Sequence, residues 1–251
     1  MPYYEEQYTV SSHDTDLNNH LRPTPQAIFM QETANHHMRD RKPTYYELFD
    51  AGKSFILIRM NIEVCAPIQR YDQIACRTWC GPAKPATQIR SFQLVRDGVV
   101  CAQANSEWAI VDLNGGGICK SKEFDFSRYE TDDVLPLTIP QRFHLPKELS
   151  FAQVGTKTVT YCDVDLNRHM NNTRYYDMLW NHIPGVDQKQ LTSFNVRFMA
   201  EGALGSTLNI YRAQSESPLP DGQGATETYF FYSTTPEGRV NIEATVGVKG
   251  I

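Results

Sequence analysis

Two stretches of the chain carry the same polar phrase, HDTDLNNHLRP at residues 13–23 and CDVDLNRHMNN at residues 162–172. Asp14, Asp16, Asn18 and His20 answer to Asp163, Asp165, Asn167 and His169, each 149 positions later (163 less 14). The likeness extends past the phrase. Behind the first copy Thr24 can cap a helix with Pro25 at its first position, and Ala27, Met30, Ala34 and Met38 fall at helical spacing. Behind the second copy Asn171 or Asn172 can cap, Tyr175, Met178, Leu179 and His182 mark one face, and Pro184-Gly185 stops the helix. Strand patterns follow each helix. In the first half they are ILIRMNIEVC, QIACRTWC, TQIRSFQLV and VVCAQANSEWAIVD; in the second, LTSFNVRFMA, STLNIYRA, TETYFFYST and VNIEATVGV. Turn residues such as Arg96-Asp97-Gly98, Asp221-Gly222 and Glu237-Gly238 join them.

Each half therefore reads as a polar motif, one helix and about four antiparallel strands. That pattern predicts an α+β fold in which each half curls a meander sheet around a central helix. The expected boundaries are a first domain over 1–113, a linker over 114–150 and a second domain over 151–251. The linker is rich in Gly, Pro and charge without periodicity, which suits a strap over the surface. The first half is longer between its motif and its second strand. The excess falls near RDRKPTYYELFDAGKSF, which could form a short helix or a lid, although Arg39 to Lys42 read as an ordinary surface loop.

The bulk numbers suit this. A chain of 251 residues has room for one large domain or two ordinary ones. Hydrophobic and charged fractions of 41% and 21% are those of a globular protein. A net charge of −5 argues against a general nucleic-acid binder. The opening MPYYEEQYTV lacks the basic and apolar regions of a signal peptide. No window approaches the roughly 18 apolar residues of a membrane helix. The six cysteines are scattered with no C-x-x-C pair, as for reduced thiols in a cytoplasmic protein.

The phrase itself carries chemistry. If Asp165 to His169 were extended, Asp165, Asn167 and His169 would face one space, with Leu166 and Arg168 turned away. That space would lie ahead of a helix N-terminus, where free amides can stabilise an oxyanion. A carboxylate, an amide and an imidazole are the parts of a hydrolytic site. The same residues are also common turn-formers and caps, and a duplication would copy a structural turn twice. Metal binding through Glu32, His36 and His37 carries little weight without a third converging ligand.

Asp-x-Asp-x-Asn-x-His-x-Asn-Asn-x-x-Tyr, present as DVDLNRHMNNTRY, resembles the active-site segment of acyl-acyl carrier protein thioesterases of the bacterial type. RTWC (77–80), Arg90 and SEWAIVDLNGG (106–116) resemble that family's first half, so the resemblance covers nearly the whole chain. It implies two tandem hotdog domains, each a curved antiparallel sheet wrapped around a long central helix. It implies hydrolysis of a fatty acyl thioester carried on acyl carrier protein, ending fatty acid synthesis; direct hydrolysis with no cofactor and no metal is the expected chemistry. The family's catalytic Asp, Asn and His fall on Asp165, Asn167 and His169, and its further Glu on Glu201. Either carboxylate could activate water, or Asp165 could attack directly. Plant members carry a Cys after that Glu, whereas Gly202 stands here.

The resemblance also implies that the N-terminal half helps to house the acyl chain. The first copy, with Asp16, Asn18 and His20, is expected to be structural: Leu21-Arg22-Pro23 follows its His, and Pro67 falls opposite Glu201. Arg168, Arg174, Lys189, Arg197 and Arg212 are candidates for a basic patch that meets the acidic carrier. Rival readings are an acyl-CoA thioesterase of the same fold and a non-catalytic acyl-binding protein. A hotdog hydratase, with Asp-x-Asn-Pro-x-His spacing, fits less well. The expected assembly is a monomer or homodimer, with no nucleic acid or membrane partner.

Overall fold

A computed structural model describes residues 2–82, 84–120, 123–215 and 218–251. The first half runs β1 (Tyr4–Thr9), α1 (Pro23–Asp40), α2 (Tyr45–Asp50), β2 (Lys53–Val64), β3 (Gln73–Cys80), β4 (Thr87–Arg96) and β5 (Val99–Asp112). The second runs β6 (Ala152–Thr158), α3 (Arg174–Trp180), β7 (Lys189–Phe198), β8 (Thr207–Gln214), β9 (Glu227–Thr234) and β10 (Val240–Gly250). All the strands join one antiparallel sheet in the order β1-β3-β4-β5-β2-β7-β10-β9-β8-β6. The order in one half is the mirror of the order in the other. Each half closes with its second strand, and the two second strands pair.

That pairing sets Arg59, Met60, Asn61, Ile62 and Glu63 of β2 against Arg197, Val196, Asn195, Phe194 and Ser193 of β7. One face of the junction is apolar: Met60, Ile62, Phe194 and Val196 enter the core with Met30 and Ala34 of α1 and Leu179 of α3. On the other face Asn61 Nδ2 donates to Asn195 Oδ1 (2.6 Å), with both residues almost wholly buried. The linker covers that polar face. Asn195 donates to Pro140 O (3.0 Å), Asn105 donates to Leu135 O (2.9 Å), and the Ile139 amide donates to Glu63 (2.8 Å). The strap thus meets the polar groups that a sheet face would otherwise bury unpaired. Within it, Ser121 and Lys122 lie outside the described residues.

Several expectations need correction. A long helix in each half is not what the chain forms: α1 has 18 residues and α3 has 7. The second helix yields at Trp180, four residues ahead of Pro184. The extra length of the first half becomes the last turns of α1 and the added helix α2, where Thr44 and Glu47 form a reciprocal cap. Each half also has a fifth strand before its motif. YEEQYT and AQVGTKT are the two sheet edges, where charge and polarity are favoured and the apolar signal is weak. Thr24 does not cap α1, which begins at Pro23. Its hydroxyl instead donates to Thr173 O (2.9 Å) and accepts from the Asp177 amide (3.0 Å), tying α1 to α3. Arg22 forms an ion pair with Asp177 at the same junction.

Asn61→Ala should lower the unfolding free energy by about 1–3 kcal/mol, because Asn195 and Pro140 O lose a buried partner. In thermal denaturation, Tm should fall by roughly 2–4 °C for each kcal/mol lost. Adding Asn195→Ala should cost less than the two single changes summed; strict additivity would show that the two side chains do not act as a pair.

Candidate active site

The polar phrase folds as a tight turn in both copies. In the second, the Asp165 amide donates to His169 O (3.1 Å), the Arg168 amide to Asp165 O (2.9 Å) and the Asn167 amide to Asp165 Oδ1 (2.9 Å). Arg168 takes the left-handed conformation, φ 63°. In the first, Asp16 and His20 repeat the backbone bond (2.9 Å), Asp16 Oδ1 accepts from the Asn18 and His20 amides (2.9 Å each), and Asn19 has φ 64°. Asp at the first position closes an Asx turn, and Asn tolerates the left-handed position. The segment is therefore not extended, and its side chains do not simply alternate. Asp165 and Asn167 line a cleft, and His169 turns to Glu201, with Nε2 and Oε2 3.1 Å apart. Glu201 lies past the end of β7 and is largely exposed.

Two bridges align the halves beyond the turn. His169 pairs with Ala203 and His20 with Gln69, while the Met170 and Leu21 amides donate to Gly202 O and Ile68 O, both at 2.8 Å. Glu201 therefore stands where the first half has Pro67. Gly202 leaves no room for a side chain: a Cβ there would meet Tyr175 Oη at 2.8 Å. The Asn171 and Arg22 amides both donate to the motif's first Asp, at 2.9 Å, so the next residues, Asn172 and Pro23, also correspond. Around Asn172 the amides are used: Asn171 as above, Thr173 to Asn171 Oδ1 (3.0 Å) and Arg174 to Asn171 O (2.9 Å). Among the described residues no partner accepts from the Asn172 N–H. Its counterpart, Pro23, has no N–H at all.

The two copies face different spaces across the junction. Asp165, Asn167, Asn171 and Asn172 stand at a cleft of about 180 Å³ whose other walls belong to the first half. Those walls are Gln31, Ala34, Asn35 and Met38 of α1, Tyr45 of α2, and Phe55, Cys80, Gln88, Arg90 and Trp108 of the strands, with Phe126 and Tyr129 of the linker. Asp16 and His20 face a cavity of only about 20 Å³, room for about one water. Trp180 helps to close it, and Trp180 is the counterpart of Gln31 by the same 149-residue shift. Asn18 is tied across the junction to Asp187 O (2.8 Å). One copy is thus shut against the other half, while its twin stands open.

The fold disperses two clusters that look compact in sequence. His36 lies 3.3 Å from Glu6 while His37 turns inward to Glu130, so the two do not converge. Arg197 pairs with Glu243, Lys189 with Glu227, and Arg212 donates to His182 O. Arg168 and Arg174 remain exposed beside the cleft residues. The cleft aromatics and the free Asn172 amide were not found from sequence. The comparison of Asn172 with Pro23, and the aromatic spacing of KEFDFSRYE in a polar linker, were the available signals.

Comparison with known proteins follows the same division. The acyl-ACP (acyl carrier protein) thioesterase N-terminal domain model matches residues 2–123, and the acyl-ACP thioesterase C-terminal domain model matches residues 148–244. No curated protein matches by sequence. An acyl-ACP thioesterase from Bacteroides thetaiotaomicron superposes with a TM-score of 0.87 at 20% identity, covering 98% of each chain. The 12:0-ACP thioesterase from Umbellularia californica superposes with a TM-score of 0.82 at 14% identity, covering 99% of this chain and 94% of that one. At these identities the structural likeness is one of fold. No helix among the described residues is long and apolar enough to cross a membrane.

Behind the cleft, buried Arg90 donates from Nη1 to His37 Nδ1 (2.8 Å), and His37 Nε2 meets Glu130 Oε2 (2.7 Å). Burial, and then the Arg90 charge, push the His37 pKa down to about 4 against the pull of Glu130. The unfolded chain, with His near 6.5, binds more protons between those values. Stability from this group is full above pH ~6.5 and is lost as pH falls towards 4, by up to about 3 kcal/mol. In urea unfolding at pH 7.5 and 4.5, His37→Gln should lose less stability on acidification than the wild type; an equal loss would exclude His37 as the source.

Proposed function

Since the chain belongs to the acyl-acyl carrier protein thioesterase family and hydrolyses the thioester of fatty acyl carrier protein, we propose that the reaction runs at the mouth of the large cleft, on Asp165, Asn167, His169 and Glu201. The acyl chain lies between α1, α2 and β2–β5. The observation that carries this reading is the unpaired Asn172 amide in the same wall as Asp165 and Asn167. The two halves are read as tandem hotdog domains, 1–113 and 151–251, joined by the linker 114–150.

Asp165 has Oδ1 committed to the Asn167 amide, so Oδ2 is the oxygen left to align and deprotonate a water. The water adds to the thioester carbonyl carbon. Negative charge builds on the carbonyl oxygen, where the Asn172 N–H can donate to it. The C–S bond then breaks, and the carrier thiolate takes up the proton, leaving free fatty acid and thiol. Asn167 orients the reactants. His169, steadied by Glu201, supports the turn from behind and offers a route for the proton. Exposed Arg168 and Arg174 suit an acidic carrier.

Free-thiol release from acyl carrier protein thioesters of varied length, with matching CoA esters, tests the reading. Asp165→Ala should lower kcat about 10²–10⁴-fold. Asn172→Pro, a residue that the first copy already holds at this place, should lower kcat about 10²–10³-fold with little change in KM. Asn172→Ala keeps the amide and should retain most of the rate. Near-wild-type turnover by Asp165→Ala would overturn the assignment, and release from CoA esters alone would move the substrate to the acyl-CoA alternative.

A further inference from the structure

We propose that the linker, through Phe126, sets the longest acyl chain that the cleft accepts; this rests on the reading of the cleft as the acyl site. Three side chains, Gln88, Trp108 and Phe126, line both the cleft and a second, apolar cavity of about 10 Å³ behind it. They are the partition between the two. Ile110 and Cys119 lie on the far side, both buried.

The three members are held differently. Trp108 belongs to β5 and donates from Nε1 to Ser106 Oγ (2.7 Å). Gln88 belongs to β4 and donates to Gly81 O (2.7 Å). Phe126 comes from the linker; its backbone carbonyl accepts from the Tyr129 amide (3.0 Å), and its side chain meets aromatic rings, with centroids 6.2 Å from Phe55, 5.5 Å from Tyr129 and 6.0 Å from Phe124. Removing its ring joins the two cavities into a longer apolar channel without cutting a strand's hydrogen bond. A larger ring shortens the cleft. A single methylene in an apolar pocket changes specificity roughly 10–200-fold, so a modest gain in depth is readable.

The experiment is kcat/KM for release of thiol from acyl carrier protein loaded with saturated chains of increasing length. Phe126→Ala should raise the ratio for chains two carbons beyond the wild-type optimum by about tenfold or more, and Phe126→Trp should move the optimum to shorter chains. Phe124→Ala is the control, since Phe124 touches Phe126 but lines neither cavity, and its profile should stay that of the wild type. Active Phe126 variants with an unmoved profile overturn the proposal alone, as does a Phe124→Ala profile that moves equally. If Phe126→Ala does not fold, the Phe126→Trp profile decides. A wild type that releases no thiol from any thioester overturns the preceding reading and this one with it.

Discussion

The pairing of β2 with β7 is the constraint on which everything else depends. Five residue pairs join two five-stranded halves into a single sheet, centred on Asn61 and Asn195. One face buries apolar side chains from both halves, which drives the association. The other face is polar and would be costly to bury unpaired. Asparagine-to-asparagine bonding and the strap's backbone carbonyls meet that demand together. The linker is therefore part of the fold, and it reaches the site because Phe126 and Tyr129 come with it.

The same junction places each motif against the other half. Both turns close by the same Asx geometry, so the doubled phrase is first of all a structural instruction. Chemistry separates the copies at positions outside the shared letters. Pro23 removes the amide that Asn172 keeps, and Pro67 stands in place of Glu201. Volume separates them as well. Trp180 helps to close one side, whereas Gln31 and Ala34 leave the other open. A single ancestral pattern thus supports a packed interface in one half and an accessible cleft in the other.

Much of the frame was legible from local pattern. The interior strands alternate strongly, and the Arg96-Asp97-Gly98 turn forms with Asp97 and Gly98 at positive φ. The edge strands escaped because an edge needs polarity more than burial. The short α3 escaped because helical spacing continues past Trp180, where tertiary packing of Tyr175, Tyr176 and Trp180 takes precedence. His169 was expected beside Asp165 and instead faces Glu201, because a turn does not carry the alternation of a strand. Of the five basic residues near the motif, Arg168 and Arg174 stay exposed beside the cleft, while the strand residues Lys189, Arg197 and Arg212 are held by Glu227, Glu243 and His182 O.

By itself the sequence determined the duplication, the turn that each motif makes, the interior strands and the residue types available for hydrolysis. These depend on contacts within a few positions along the chain, where backbone geometry and side-chain period are strong. Only the tertiary structure decided which copy stands open, which amide is left unpaired and which aromatics wall the cleft. Those outcomes depend on side chains more than a hundred positions apart, such as Gln31 with Asn172, and on the volume left between them when two halves share one sheet.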